Sequence, residues 1–120
     1  MKILIVDDGD RIREELDEFL SAAGHTVFHA GLPSEAFRIT EQHSPDIAIL
    51  DIRLPEAEGL TVPERMKALC PDMEIFMIAD NGDMDTVIRA MRSGVSDFFS
   101  KPFQLSEILG PLKEQKNFLT

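Results

Sequence analysis

Five times along this chain a short apolar run gives way to a segment whose apolar residues recur at helical spacing. Ile3 to Val6 is the first run, and its length predicts a buried strand. Ile12, Leu16, Phe19 and Ala23 then repeat near the helical period until Gly24, a C-terminal stop. A second strand near His25 to His29 leads to Pro33-Ser34-Glu35, first-turn chemistry for a helix that buries Ala36 and Ile39. Pro45 breaks the chain before Asp46. Ile47 to Leu50 is the most apolar strand, closed by Asp51, and a loop through Pro55 and Gly59 leads to a helix carrying Met66 and Leu69, with Pro63 in its first turn. Pro71 and Asp72 precede a fourth strand, Ile75 to Ile78. The Asn81-Gly82-Asp83 turn then opens a helix with Met84, Val87, Ile88 and Met91 on one stripe, ended by Gly94. A fifth strand over Val95 to Phe99, a Lys101-Pro102 turn and a last helix with Leu105, Ile108, Leu109 and Leu112 complete the series.

Strict strand-to-helix alternation implies a parallel sheet with helices on both faces, because each parallel connection must cross over through a helix. The expected fold class is α/β: a doubly wound (βα)5 three-layer sandwich around a five-stranded parallel sheet. A closed barrel of eight such units needs about 250 residues. With 120 residues, the chain is expected to form one domain spanning residues 1–120.

In an open sheet of this kind, ligands bind beyond the carboxyl ends of the strands, where the strand order reverses. Four polar groups stand at such ends: Asp7 and Asp8 after the first strand, Asp51 after the third, and Lys101 after the fifth. The pattern predicts an acidic pocket faced by one ammonium group. Such a pocket suits a divalent cation bound by hard oxygen ligands, and it can present one carboxylate as a nucleophile.

Charge narrows the partners. The formal net charge of −10, from 22 acidic and 12 basic residues, opposes binding to nucleic acid or to an anionic membrane. Proteins and cations are the expected partners. Cys70 is the single cysteine, so no internal disulfide is available and a reducing compartment fits. Only four apolar residues precede the first acids, too few for a signal-peptide core or a membrane span, and a cytoplasmic location is expected. No output module, linker or low-complexity tail follows in the sequence, so the chain is expected to act by its one domain or through a partner.

The acidic pair Asp7-Asp8, Asp51 after the third strand, Pro55 and Gly59 four and eight residues beyond it, and Lys101-Pro102 after the fifth strand occur in one order. In that order and at strand ends, they resemble the receiver domain of two-component response regulators, in the CheY-like superfamily. The likeness spans essentially the whole chain. It implies the flavodoxin-like strand order 2-1-3-4-5. It also implies that Asp51 accepts a phosphoryl group from a sensor histidine kinase or a phosphotransfer protein. Magnesium, or manganese in its place, is the implied cofactor, held by Asp8, Asp51 and the backbone carbonyl of Arg53, with Asp7 acting through water. Lys101 would pair with the phosphoryl oxygens. The signal would pass through the surface of the fourth helix, fifth strand and fifth helix to an effector protein or a fused output domain. Homodimerisation through that surface is also implied.

The chain departs from the family at two places. Where the family carries Thr or Ser and then a small residue, this sequence has Ala79 and Asp80. In the family that hydroxyl binds the phosphoryl group and draws in an aromatic residue, here Phe98. A hydrogen bond to a charged group is worth roughly 1.5–3 kcal/mol, comparable to the coupling between two sites, so its loss would weaken the switch. Gly9 stands where the family often has an acid and is expected to loosen the loop after the acidic pair.

Other readings compete for the same residues. Asp8 alone is a good helix N-cap, Lys101 alone an ordinary surface lysine, and Phe98 with Phe99 ordinary packing. His25, His29 and His43 lack the spacing of a zinc site. A pseudo-receiver, binding its partner constitutively, is the alternative that Ala79 and Asp80 suggest. An enzyme with turnover is not expected. A dehalogenase-type phosphatase needs a second acid where Arg53 stands, and the acids at 7, 8 and 10 would repel a flavin phosphate.

Overall fold

The computed structural model describes residues 1–51, 61–79, 84–92 and 94–100. Along them run β1 (Lys2–Val6), α1 (Asp10–Ala22), β2 (Thr26–Ala30), α2 (Pro33–His43), β3 (Ile47–Asp51), α3 (Thr61–Leu69), β4 (Glu74–Ala79), α4 (Met84–Arg92) and β5 (Asp97–Ser100). The strands form one parallel sheet in the order β2-β1-β3-β4-β5. This is the doubly wound α/β arrangement expected from the alternation. The last helix, with Leu105, Ile108, Leu109 and Leu112, lies outside the described residues, as do the Asn81-Gly82-Asp83 and Lys101-Pro102 turns and the Pro55 to Gly59 loop.

Strand geometry sorts the core into two halves. Successive side chains on a strand point to opposite faces, so Leu4, Val6, Ala48, Leu50, Ile75 and Met77 share one face, where they meet Ala36 of α2, Val62 and Met66 of α3 and Val87 of α4. Ile3, Ile5, Ile47, Ile49, Phe76 and Ile78 share the other and meet Leu16 and Leu20 of α1. Both faces of β1 and β3 are therefore covered, which explains their unbroken apolar runs. Phe99 falls on the α1 side, where its ring meets Phe76 edge-on at 5.9 Å. Phe98 falls on the opposite side and is half-buried against that core.

Helix ends follow the local chemistry. Gly24 adopts φ 94° just beyond α1, the left-handed stop that glycine allows at least cost. Pro33 occupies the first turn of α2 and Pro63 that of α3, positions where the missing N–H is harmless. Thr40 is buried on α2, and its hydroxyl donates to the Ala36 carbonyl at 2.7 Å, so the polar group enters the core with a partner.

Two strand boundaries are corrected. β2 begins at Thr26 rather than His25, whose ring instead faces the N-terminal amine at 3.2 Å. β5 begins at Asp97 rather than Val95; Ser96 N–H already donates to the Ile75 carbonyl at 2.7 Å, so the chain docks before the ladder starts. The stripe on α4 does not face the core as a whole. Val87 is buried, while Ile88 is 47% and Met91 40% exposed, because a nine-residue helix lying on the sheet brings only part of a wide stripe against it. Leu69, at the end of α3, is also exposed.

One polar clasp ties α1 to the edge strand β2. Asp17 receives the Ser21 hydroxyl at 2.6 Å and meets the His29 ring at 2.5 Å. The Ser21 hydroxyl first, and the His29 ring second, hold the Asp17 carboxyl below the usual aspartate range. A depressed carboxyl stabilises the fold above its unfolded-state value, near pH 4, and that contribution is lost as pH falls through the lowered folded value. The pair is about one-third exposed, so the contribution is below about 1 kcal/mol.

Two outcomes follow for stability. Leu4→Ala on the central strand β1 is expected to cost about 2–5 kcal/mol in urea denaturation, whereas Ile88→Ala costs less than about 1 kcal/mol. Wild type is expected to exceed Asp17→Asn in melting temperature at pH 7, with the gap closing as pH falls below the unfolded-state value near 4 and through the lowered folded value; a gap that widens on acidification contradicts this assignment.

Candidate functional site

The site begins with strand register. β1 and β3 are hydrogen-bonded neighbours, with Val6 opposite Leu50. Asp7 and Asp51 each come one residue after those partners, so parallel pairing brings them side by side at the carboxyl ends of the two strands. The alternation that puts Ile3, Ile5, Ile47 and Ile49 toward α1 also sends Asp7 and Asp51 to that face. β2 lies on one side of β1 and β3 on the other. The two acids therefore mark the place where the strand order reverses.

Burial separates the three acids. Asp7 is 3% exposed and Asp51 7%, while Asp8 is exposed at the mouth. One carboxylate oxygen from each of the three lies within 4.8 Å of the others. At that separation and an effective dielectric of ~20, each pair of unit charges repels by roughly 3 kcal/mol, less where Asp8 meets water. An arrangement this costly calls for a counter-charge.

Magnesium takes oxygen ligands at about 2.0–2.1 Å in an octahedron, which places neighbouring ligand oxygens about 3 Å apart and opposite ones about 4 Å apart. One oxygen from each acid lies within 4.8 Å of the others, close to such spacings. The donor set is all carboxylate, hard and anionic, which favours magnesium or manganese over softer metals. Among the described residues these three acids form the only such cluster of potential ligands.

The backbone holds Asp7 at two points. Asp7 N–H donates to the Ala30 carbonyl at 3.0 Å, extending the β1–β2 ladder by one residue. Gly9 N–H donates to Asp7 Oδ1 at 2.7 Å, closing the loop onto the carboxylate. Helix α1 starts immediately afterwards, with Arg13 N–H donating to the Gly9 carbonyl at 3.2 Å. Gly9 is the N-cap, in ordinary extended backbone at φ −88° and ψ 116°. The simple reading of Asp8 as the cap is thereby excluded. The Gly9 amide ties the loop to Asp7. Sequence reasoning missed this bond, although an acid two residues before a glycine is a recognisable signal for a side chain that folds back on its own backbone.

The structure thus brings together Asp7, Asp8 and Asp51. Ala79 is the last residue of β4, paired in register with Ser100. Phe98 stands opposite Met77, two residues back from the strand end, with its side chain on the face away from Asp51. Arg53, Asp80 and Lys101 lie outside the described residues, as does the side chain of Ala79. None of the described helices is long and apolar enough to cross a membrane.

Residues 3–113 match the response regulator receiver domain family. The chain belongs to that family. This receiver is 31% identical over 113 residues to sporulation initiation phosphotransferase F of Bacillus subtilis, covering 94% of this chain and 91% of that protein. It is 32% identical over 117 residues to chemotaxis protein CheY of Bacillus subtilis, covering 97% and 98%. Against response regulator protein TodT of Pseudomonas putida it is 32% identical over 111 residues, but covers only 49% of that longer protein. Among solved structures, a response regulator receiver domain protein from Clostridium thermocellum superposes with a TM-score of 0.90 at 27% identity, covering 99% of this chain and 98% of that one. The receiver family and the CheY-like fold expected from the sequence are therefore established.

The acidic cluster generates a stability test. Asp8→Asn removes one of three repelling charges, so in EDTA the receiver is expected to gain about 1 kcal/mol. Magnesium at a hundredfold excess over its dissociation constant is expected to stabilise the wild type by about 2.7 kcal/mol and Asp8→Asn much less. Thermal melts with and without magnesium measure both.

Proposed function

We propose that this receiver accepts a phosphoryl group on Asp51 from a phosphohistidine of a sensor histidine kinase or a phosphotransfer protein, in a magnesium-dependent reaction. The observation that carries the reading is the buried Asp51 carboxylate, at a strand end, with oxygens of Asp7 and Asp8 within 4.8 Å. A carboxylate oxygen of Asp51 attacks phosphorus. The new P–O bond forms as the P–N bond breaks, and the leaving imidazole keeps the electron pair and takes up a proton. Asp8 and Asp51 would hold the ion with the Arg53 carbonyl, and Asp7 would hold it through water; manganese is the alternative metal. When bound, the cation offsets the charge of the three carboxylates and of the incoming phosphoryl oxygens. Asp51 contributes the nucleophile, and the two strands contribute its position, which is most of what phosphoryl transfer asks of a protein.

Lys101 follows Ser100, the last residue of β5, and family resemblance gives it the role of pairing with the phosphoryl oxygens as a point charge. The domain is a phosphoacceptor rather than an enzyme with turnover, and it works in the cytoplasm. Its output passes to an effector protein or a fused output domain through the face of α4, β5 and the segment that follows. Homodimerisation through that face belongs to the same reading.

A second reading is favoured by one feature. Ala79 closes β4 with no hydroxyl to offer, and Asp80 adds a carboxylate next to it in sequence. On that reading the partner-binding surface, Phe98 included, is competent without phosphorylation. Ala79→Thr with Asp80→Ala then makes partner binding depend on the phosphodonor.

Incubation with a small phosphodonor and magnesium is expected to add the mass of one phosphoryl group to the intact protein, lost in EDTA and in Asp51→Asn. A phosphorylated Asp51→Asn protein would place the acceptor elsewhere.

A further inference from the structure

A cleft of about 340 Å³ opens between α1, the end of β2 and the first turn of α2, lined by Arg13, Glu14, His29 and Glu35. It shares no residue with the three clustered acids, and its size lies near the lower end of small-molecule sites, about 300–1,000 Å³. Two of its walls are held in place. The Arg13 guanidinium crosses over Gly31, where a Cβ would lie 2.6 Å from Nη1 and 3.7 Å from Cζ; a glycine leaves that seat open. On the opposite element, His29 Nε2 meets Asp17 Oδ2 at 2.5 Å, and Asp17 in turn receives the Ser21 hydroxyl at 2.6 Å. Asp17 is a carboxylate at neutral pH, so Nε2 donates to it and the neutral ring offers Nδ1 as an acceptor.

Charge selects the occupant. A plain anion would face Glu14 and Glu35, and the net charge of −10 opposes its approach. A plain cation would suit the two carboxylates but face Arg13 with like charge. A small molecule carrying both charges meets neither penalty. We propose that this cleft binds a free α-amino acid. Arg13 takes the carboxylate through its guanidinium fork, while Glu14, Glu35 and Nδ1 of His29 accept the three N–H groups of the ammonium. No residue assigned to phosphoryl transfer takes part, so this proposal and that function can fail separately.

The test is an amide chemical-shift titration of the isotope-labelled full chain with each of the common L-amino acids, added alone. At least one is expected to give saturable shifts centred on Arg13, Glu14, His29 and Glu35. The matching amine and the matching carboxylic acid, each carrying one charge, are expected to bind at least about tenfold more weakly, because each gives up charge-assisted hydrogen bonds. Gly31→Ala crowds only the far end of a flexible side chain, so it is expected to weaken the amino acid by about tenfold with the melting temperature unchanged. Arg13→Gln is expected to bring the amino acid down to the affinity of its amine analogue without weakening that analogue. Shifts that never saturate, shifts centred on Asp7, Asp8 and Asp51, or an amine or carboxylic acid that binds as well as the amino acid each overturn the proposal. So does wild-type affinity in Arg13→Gln. The comparison of the three ligands on the wild type decides the matter even if a variant folds poorly.

Discussion

Like charges held together at the ends of two adjacent parallel strands are the constraint on which this structure turns. β1 and β3 pair with Val6 opposite Leu50, and each strand continues into an aspartate on the face toward α1. No loop rearrangement is needed to bring Asp7 to Asp51. Two parallel strands in that register, with side chains alternating between faces, leave the two acids no other placement. Asp8 joins them from the following residue, and the amide of Gly9 folds the chain back before α1 begins.

Whatever repulsion within such a cluster no counter-charge balances, the rest of the fold must offset. The offset lies directly beneath the site. Ile3, Leu4, Ile5 and Val6 on β1, and Ile47 to Leu50 on β3, are all essentially inaccessible to water. Each fully buried aliphatic side chain contributes about 1.5–3 kcal/mol, so a few such residues outweigh the repulsion of one carboxylate pair. The two strands that position the acids are thus themselves fully buried along their apolar runs. α1 is held to this frame by Leu16 and Leu20 on its inner face and by the Asp17–His29 contact at its side.

Much of this was legible in the amino-acid order, for a physical reason. A fully buried parallel strand has to be apolar on both faces, so ILIV and IAIL stand out, and an acid that ends such a run is already placed at a strand end. Asp7, Asp8 and Asp51 could be found that way. Thr40 could not, because its burial depends on a hydroxyl turning back to the Ala36 carbonyl, which leaves no trace in hydrophobic periodicity. Nor could the exposure of Ile88 and Met91 be read there: periodicity marks a helix as amphipathic but does not say how much of the apolar stripe the sheet covers. The Asp17–His29 contact joins α1 to β2 across the chain, and pattern reading does not register it.

Family membership and site geometry converge on the same three carboxylates, and a hard cation is the ligand that would unite them. Manganese reports its own location, because its unpaired electrons broaden nearby amide resonances. In spectra of the isotope-labelled receiver with substoichiometric manganese, broadening should be centred on Asp7, Asp8, Gly9 and Asp51 and should recover when magnesium is added. Broadening spread over the acidic outer face of α1, around Glu14, Glu15 and Glu18, or broadening that magnesium fails to reverse, would contradict the account.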